Sequence, residues 1–199
     1  MADKNYIGKR VYTPVFRAAF AHVFEPKSFI TGGDKKYSTV MLFPKDTDLS
    51  EMKQAGKEIA LSFFNGVIPK KFTSPFKDGD EPNDEGNIHD GFPGCIAVTA
   101  SSKSKPGVVD ESVKPIIDRA EFKSGDYAIA TVTAAAYDYL GKKGVKFYLN
   151  NLQKVKTGEP FGAAVDPTKE FQAINRADED TEGMFGEQAA QPEDKDEFL

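Results

Sequence analysis

Two long β-forming runs joined by a glycine-bracketed turn constrain this chain to a β-rich fold. Residues 127–140, YAIATVTAAAYDYL, read as one strand with small residues at its middle. Gly141-Lys142-Lys143-Gly144 reads as a hairpin turn, and residues 145–155, VKFYLNNLQKV, as the returning strand. On the return, Val145, Phe147 and Leu149 alternate with Lys146 and Tyr148, the period of a half-buried strand. If the apolar three face a core, Lys146 and Tyr148 face outward side by side.

The rest of the chain supplies partners for that hairpin. Residues 11–24, VYTPVFRAAFAHVF, read as extended, with Pro14 marking an edge or a bulge. A turn at Gly32-Gly33-Asp34 precedes a strand over 36–43, which Pro44 ends. CIAVTAS at 95–101 is strand-like, and Lys103-Ser104-Lys105-Pro106-Gly107 is a basic turn. One helix stands out at 46–64, capped by Asp46 or Thr47, with Leu49, Met52, Ile59 and Phe63 on one face. Such a helix either covers an open side of the sheet or offers a partner surface. Residues 65–94 hold four prolines and five glycines and read as a long loop, a feature usually functional or disordered. Residues 157–176 read as a segment that wraps the body or links it to the C-terminus.

Charge divides the chain in two. From Ala177 to Leu199, nine carboxylates face a single cation, Lys195, giving −8. Residues 1–176 hold 25 cations and 22 acids, giving +3, so the total of −5 is a property of the last 23 residues. That segment has too few apolar groups to offset the entropy of ordering and reads as a disordered acidic tail. The expected organisation is a domain over 1–176 and a tail over 177–199. No apolar run approaches a bilayer span and no signal pattern opens the chain, so the expected setting is cytoplasmic, with no membrane partner. The lone Cys95 excludes an internal disulfide and reads as a small buried hydrophobe.

The body pairs cations with aromatics, the combination that holds single-stranded nucleic acid: cations track phosphates and rings stack on exposed bases. Lys36 adjoins Tyr37; Tyr137 and Tyr139 precede Lys142 and Lys143; Lys146 shares strand parity with Tyr148; Lys103 and Lys105 form the basic turn. Phosphate contacts are expected from the lysines and stacking from the tyrosines. Each residue has a plainer reading, aromatics as core and lysines as solubilising groups, and only the repeated pairing sets the group apart. The tail ends Asp194-Lys195-Asp196-Glu197-Phe198-Leu199. Its carboxylates, Asp194, Asp196 and Glu197 among them, can compete with phosphates for a basic groove. Phe198 and Leu199 can anchor in an apolar pocket on a partner.

Other chemistry finds less support. The acidic run Asp78, Asp80, Glu81, Asp84 and Glu85 could hold a divalent cation, but its Gly and terminal Glu are misplaced for a calcium loop, and a solvated loop is the simpler reading. Hydrolase and phosphate-loop signatures are missing, and His22 and His89 have no recognisable nucleophile beside them. No catalytic residue, metal or cofactor is assigned.

Three stretches carry a family resemblance: KSKPGVVD at 103–110, EFKSGDYAIATVTAAAYDY at 121–139 and GKKGVKFYLNNLQKVKTGEPFG at 141–162. The chain resembles the tailed-phage single-stranded DNA-binding proteins, once catalogued as a domain of unknown function, over most of residues 5–165. The resemblance implies a mainly β OB-fold, a five-stranded Greek-key barrel whose open face binds oligonucleotides. Here it would carry an added helix, long loops and the acidic tail. It further implies a non-catalytic role in phage DNA replication or recombination in the infected bacterial cell. The tail would recruit phage or host replication proteins such as a polymerase, helicase or primase. One departure is already visible: the usual OB helix lies between the third and fourth strands, whereas this one follows the second. Two rival readings stay open, a metal-dependent nuclease using the 78–90 carboxylates and a structural or adaptor β-protein.

Overall fold

The computed structural model describes residues 7–28, 32–83 and 85–162. Among them, nine strands join one sheet: β1 (Ile7–Tyr12), β2 (Phe16–Lys27), β3 (Lys36–Pro44), β4 (Phe72–Thr73), β5 (Phe76–Asp78), β6 (Cys95–Ser102), β7 (Gly107–Val109), β8 (Tyr127–Tyr139) and β9 (Lys142–Lys156). Helix α1 (Ser50–Phe63) lies between β3 and β4, and a short 3-10 turn spans Arg119–Glu121.

Five of the strands close into a barrel. β2 pairs with β3, β3 with β6, β6 with β9, β9 with β8, and β8 returns to β2. All of these pairings are antiparallel except β6–β9. This is the Greek-key closure of an OB-fold. β1 extends the first barrel strand beyond Pro14 and pairs with the far half of β8. Pro14 thus marks a break between two strands, where its missing N–H costs the ladder nothing. The helix falls between the second and third barrel strands, as its place in the sequence implies.

The hairpin turn is tighter than predicted. β8 and β9 are joined by Leu140 and Gly141 alone, with φ of 48° and 77°, the left-handed pair that suits two twisted strands. Lys142, Lys143 and Gly144 are therefore strand residues. Gly144 is in the sequence for another reason. A Cβ there would lie 2.6 Å from the Thr73 carbonyl oxygen and 2.8 Å from the Tyr137 hydroxyl.

The core follows the alternation read from the sequence. Val145, Phe147, Leu149 and Leu152 of β9 are buried with Val132, Ala134 and Ala136 of β8, Met41 and Phe43 of β3 and Val98 of β6. The small residues of β8 make room for α1, which buries Met52, Ala55, Gly56, Ile59 and Ala60. Neither Asp46 nor Thr47 caps the helix. Leu49 occupies the capping position, and the Asp48 carboxylate accepts the Ser50 N–H at 2.9 Å, which holds its pKa below the ordinary value. The loop over 65–94 is also more structured than predicted, because β4 pairs with β9 and β5 with β6.

Beyond β9 the chain folds back on the barrel. The Gly158 N–H donates to Asp126, and Arg17 donates to the Glu159 carbonyl at 2.7 Å while stacking 4.1 Å from the Phe161 ring centroid. Contacts divide the chain into residues 1–164 and 165–199, and all described residues belong to the first unit. The boundary predicted after residue 176 and every tail residue, Asp194, Asp196, Glu197, Phe198 and Leu199 included, lie outside the described residues. No helix among the described residues is long and apolar enough to cross a membrane.

Candidate nucleic-acid interface

Register decides which predicted residues share a surface. Tyr139 faces Lys142, Tyr137 faces Gly144, Ala135 faces Lys146 and Thr133 faces Tyr148. Opposed residues point to the same side of a sheet. Tyr137, Tyr139, Lys142, Lys146 and Tyr148 therefore lie together on the outer face of the hairpin. The Lys146 ammonium stands 4.9 Å from the Tyr148 ring centroid and 6.0 Å from that of Tyr137. A cation held over two ring faces leaves its outward hydrogens for an anion.

Lys143 is not part of this group. It sits opposite Asp138 on the other face, 3.2 Å from that carboxylate, with its ammonium 5.9 Å from the Phe64 ring. Two positions along a strand share a side and neighbours do not, so the Lys142-Lys143 pair is split between faces.

The outer face continues across the barrel. Tyr148 pairs with Ser101 of β6, Ser101 with Ser38 of β3, and Ser38 with His22 of β2. On the other side Thr133 pairs with Arg10 of β1. A concavity of 430 Å³ opens along this row, lined by Arg10, Lys105, Thr133, Tyr148, Asn150 and Asn151 among others. The Asn150 amide donates to the Thr133 hydroxyl at 2.9 Å and fixes its floor. Lys105 reaches toward the Phe24 ring at 6.0 Å. Lys103 is bound 2.6 Å from Asp34, and that contact lowers the Asp34 pKa and raises that of Lys103. Lys36 shares the outward side of β3 with Ser38. Tyr37, one position on, takes the core-facing parity of Thr39 and Met41 and is half-buried.

A second aromatic group on the same outer face was not anticipated from the sequence. Core positions of β2 are even-numbered at Phe16 and Ala18 but odd-numbered at Ala21 and Val23. A bulge between Ala19 and His22 makes the switch, and Phe20 absorbs it with φ of 47°. Its ring turns out, 43% exposed, against His89 at 5.2 Å and Phe92 at 6.0 Å. Phe92, with Phe161 and half-buried Cys95, also covers Ala19, Leu42 and Ala97 on the outside of the sheet. Burial raises the Cys95 pKa. The one legible hint was the spacing of Phe16, Phe20 and Phe24, which strict alternation would place on a single side.

Two carboxylates of the acidic run, Asp78 and Asp80, are engaged, while Asp84 lies outside the described residues. The Lys45 ammonium lies 2.7 Å from Asp78 and 2.5 Å from Asp80. These contacts push the Lys45 pKa to about 12 and lower those of both carboxyls. Asp80 also accepts the Gly94 N–H at 2.6 Å. Among the described residues no three His, Cys, Asp or Glu side chains converge to hold a metal ion. His22 lies on the outer face with its pKa lowered, by partial burial first and the Lys27 charge second.

Among solved structures, the single-stranded DNA-binding protein of bacteriophage Enc34 in complex with ssDNA superposes with a TM-score of 0.65 at 21% identity, covering 77% of this chain and 89% of that one. The single-stranded DNA-binding protein gp2.5 of bacteriophage T7 superposes with a TM-score of 0.58 at 15% identity, covering 83% and 98%. At such identities the likeness establishes the fold. By sequence, putative protein p50 of Acyrthosiphon pisum secondary endosymbiont phage 1 is 32% identical over 179 residues, 82% of this chain and 93% of that protein. The family model described as Enterobacter phage Enc34, ssDNA-binding protein, matches residues 9–183. This chain therefore belongs to the family of the Enterobacter phage Enc34 ssDNA-binding protein.

Proposed function

We propose that this protein binds single-stranded DNA without catalysis and serves phage DNA replication or recombination. The observation that carries the reading is the Lys146 ammonium poised over Tyr137 and Tyr148 on the outer face of the barrel. A phosphate can meet the cation there while neighbouring bases meet the rings. Arg10, Lys36, Lys105 and Lys142 extend the positive track on either side. Membership in a family described by ssDNA binding supports the same reading.

The direct test is a gel-shift titration on a ladder of oligo-dT lengths, repeated over a range of salt. Log affinity should fall linearly with log salt, by roughly 0.7 per phosphate neutralised. A flat salt response contradicts the proposal.

For residues 177–199 the proposal is an acidic competitor that lowers DNA affinity and, through Phe198 and Leu199, recruits replication proteins. Its −8 charge against the +3 of residues 1–176 supports it. Deleting 177–199 should tighten ssDNA binding at low salt; unchanged or weaker binding removes the competitor role.

A further inference from the structure

We infer that the concavity bounded by Phe20, His89 and Phe92 is a preformed pocket for one unstacked nucleobase of the bound strand. The inference rests on the ssDNA reading above and adds to it a second, separate contact. The concavity measures 430 Å³. That falls within the roughly 300–1,000 Å³ of pockets that take small ring compounds. Its floor is the cross-strand pair Val40 and Thr99, with Ala97 beside them. One wall is the cluster of the Phe20, His89 and Phe92 rings, which touch one another at centroid distances of 5.2, 6.0 and 5.3 Å. The other is the segment carrying Asp78, Gly79 and Glu81; a base would stack on the exposed side of the cluster.

Three observations favour a base over an empty recess. Phe20 holds a left-handed backbone that costs a non-glycine residue energy, in order to turn a large ring toward solvent. The opposite wall is fixed in advance. Asp80 binds the Gly94 N–H, Lys45 clamps Asp78 and Asp80, and Phe161 packs on Gly91, so little ordering remains to oppose binding. The pocket is also in line with the Lys146 surface. Val40 and Thr99 lie two positions along their strands from Ser38 and Ser101, about 7 Å, and Ser101 pairs with Tyr148.

The rim sets the direction of entry. Asp78 and Glu81 border the pocket beside Lys77. Carboxylates repel phosphate and accept hydrogen bonds from amino and imino groups on a base edge. The strand thus enters base-first, with its phosphates left toward Lys36 and Lys146.

The test compares full-length wild type, Phe20→Leu and Phe20→Tyr on an oligo-dT and on a same-length sugar-phosphate oligomer lacking bases, at one salt concentration. Phe20→Leu should lose roughly 5- to 150-fold on oligo-dT, the span of a single stacking contact, and nothing on the abasic oligomer. Phe20→Tyr, which keeps a stacking face, should bind like wild type. Equal losses on both oligomers, or no loss on either, overturn the pocket while leaving ssDNA binding intact. Failure of wild type to bind oligo-dT overturns the functional reading instead. A measurement on wild type alone covers a variant that does not fold: photocrosslinking to a 5-iododeoxyuridine oligomer, with the adduct mapped by peptide mass spectrometry. Adducts at Phe20, His89 or Phe92 support the pocket, and adducts confined to Tyr137 and Tyr148 overturn it.

Discussion

The Lys154 ammonium lies 3.2 Å from the carboxylate of Asp126, whose side chain is 1% exposed. The same carboxylate accepts the N–H groups of Lys123 and Gly158. One acid thus joins the start of β8, the end of β9 and the segment that folds back over the barrel. Asp126→Ala removes the acceptor and leaves a largely buried ammonium with no counter-charge, held by the Glu121 carbonyl alone, which should cost about 3–5 kcal/mol. Urea unfolding followed by circular dichroism checks this, and a loss under about 1 kcal/mol contradicts the buried-pair account.

The split of Lys142 and Lys143 between two faces can be tested through salt dependence. Lys146→Ala should reduce the slope of log affinity for ssDNA against log salt by about 0.7. Lys143→Ala should leave the slope unchanged, because that cation pairs with Asp138 away from the proposed track. Equal effects of the two substitutions contradict the assignment of faces.

Loop closure by Lys45 has a defined pH window. The Asp78 and Asp80 carboxyls titrate below their ordinary 3.8, so their contribution is complete above that value and lost as pH falls through the lowered ones. The Lys45 ammonium titrates at about 12 rather than 10.5, so its contribution is complete below 10.5 and lost as pH rises through about 12. The amide shift of Gly94, donor to Asp80, should stay constant by NMR across the middle range and move only at the acid end. Movement near pH 6 is contrary to this account.

Gly91 has φ of +78°, and an added Cβ would strike the Phe161 ring. Gly91→Ala should therefore cost about 1–2 kcal/mol from the left-handed backbone alone. It should also displace Phe161 from its stack on Arg17. A fall in thermal midpoint with a changed Phe161 ring environment by NMR is the expected result; an unchanged midpoint counts against it.

Much of the barrel was legible because its signals are local and periodic. Val145, Phe147 and Leu149 alternate cleanly, and that parity placed Lys146 and Tyr148 outward together. The helix was found from Met52 and Ile59, but its start was not, because Asp48 serves it and the sequence offered three candidate oxygens in a row. What stayed hidden depends on contacts made at long range. The bulge at Phe20 is marked by nothing beyond the spacing of Phe16, Phe20 and Phe24, since it is set by how β2 meets β3. His89 and Phe92 sit in a segment with no periodicity at all, and only the folded chain brings them to Phe20. Lys143 was misplaced because a turn of two residues was read as four.

The barrel seam joins Phe16 to Ala128, 112 positions apart, whereas β8 and β9 meet across two residues. Closing so long a loop carries an entropy cost that a hairpin escapes. On the ribosome, the first barrel strand emerges long before its β8 neighbour exists. Until β8 is synthesised, that side of β2 is an unpaired strand edge, a template for other chains. The interval between making residue 27 and making residue 128 is thus when a nascent chain of this protein is most open to misassociation.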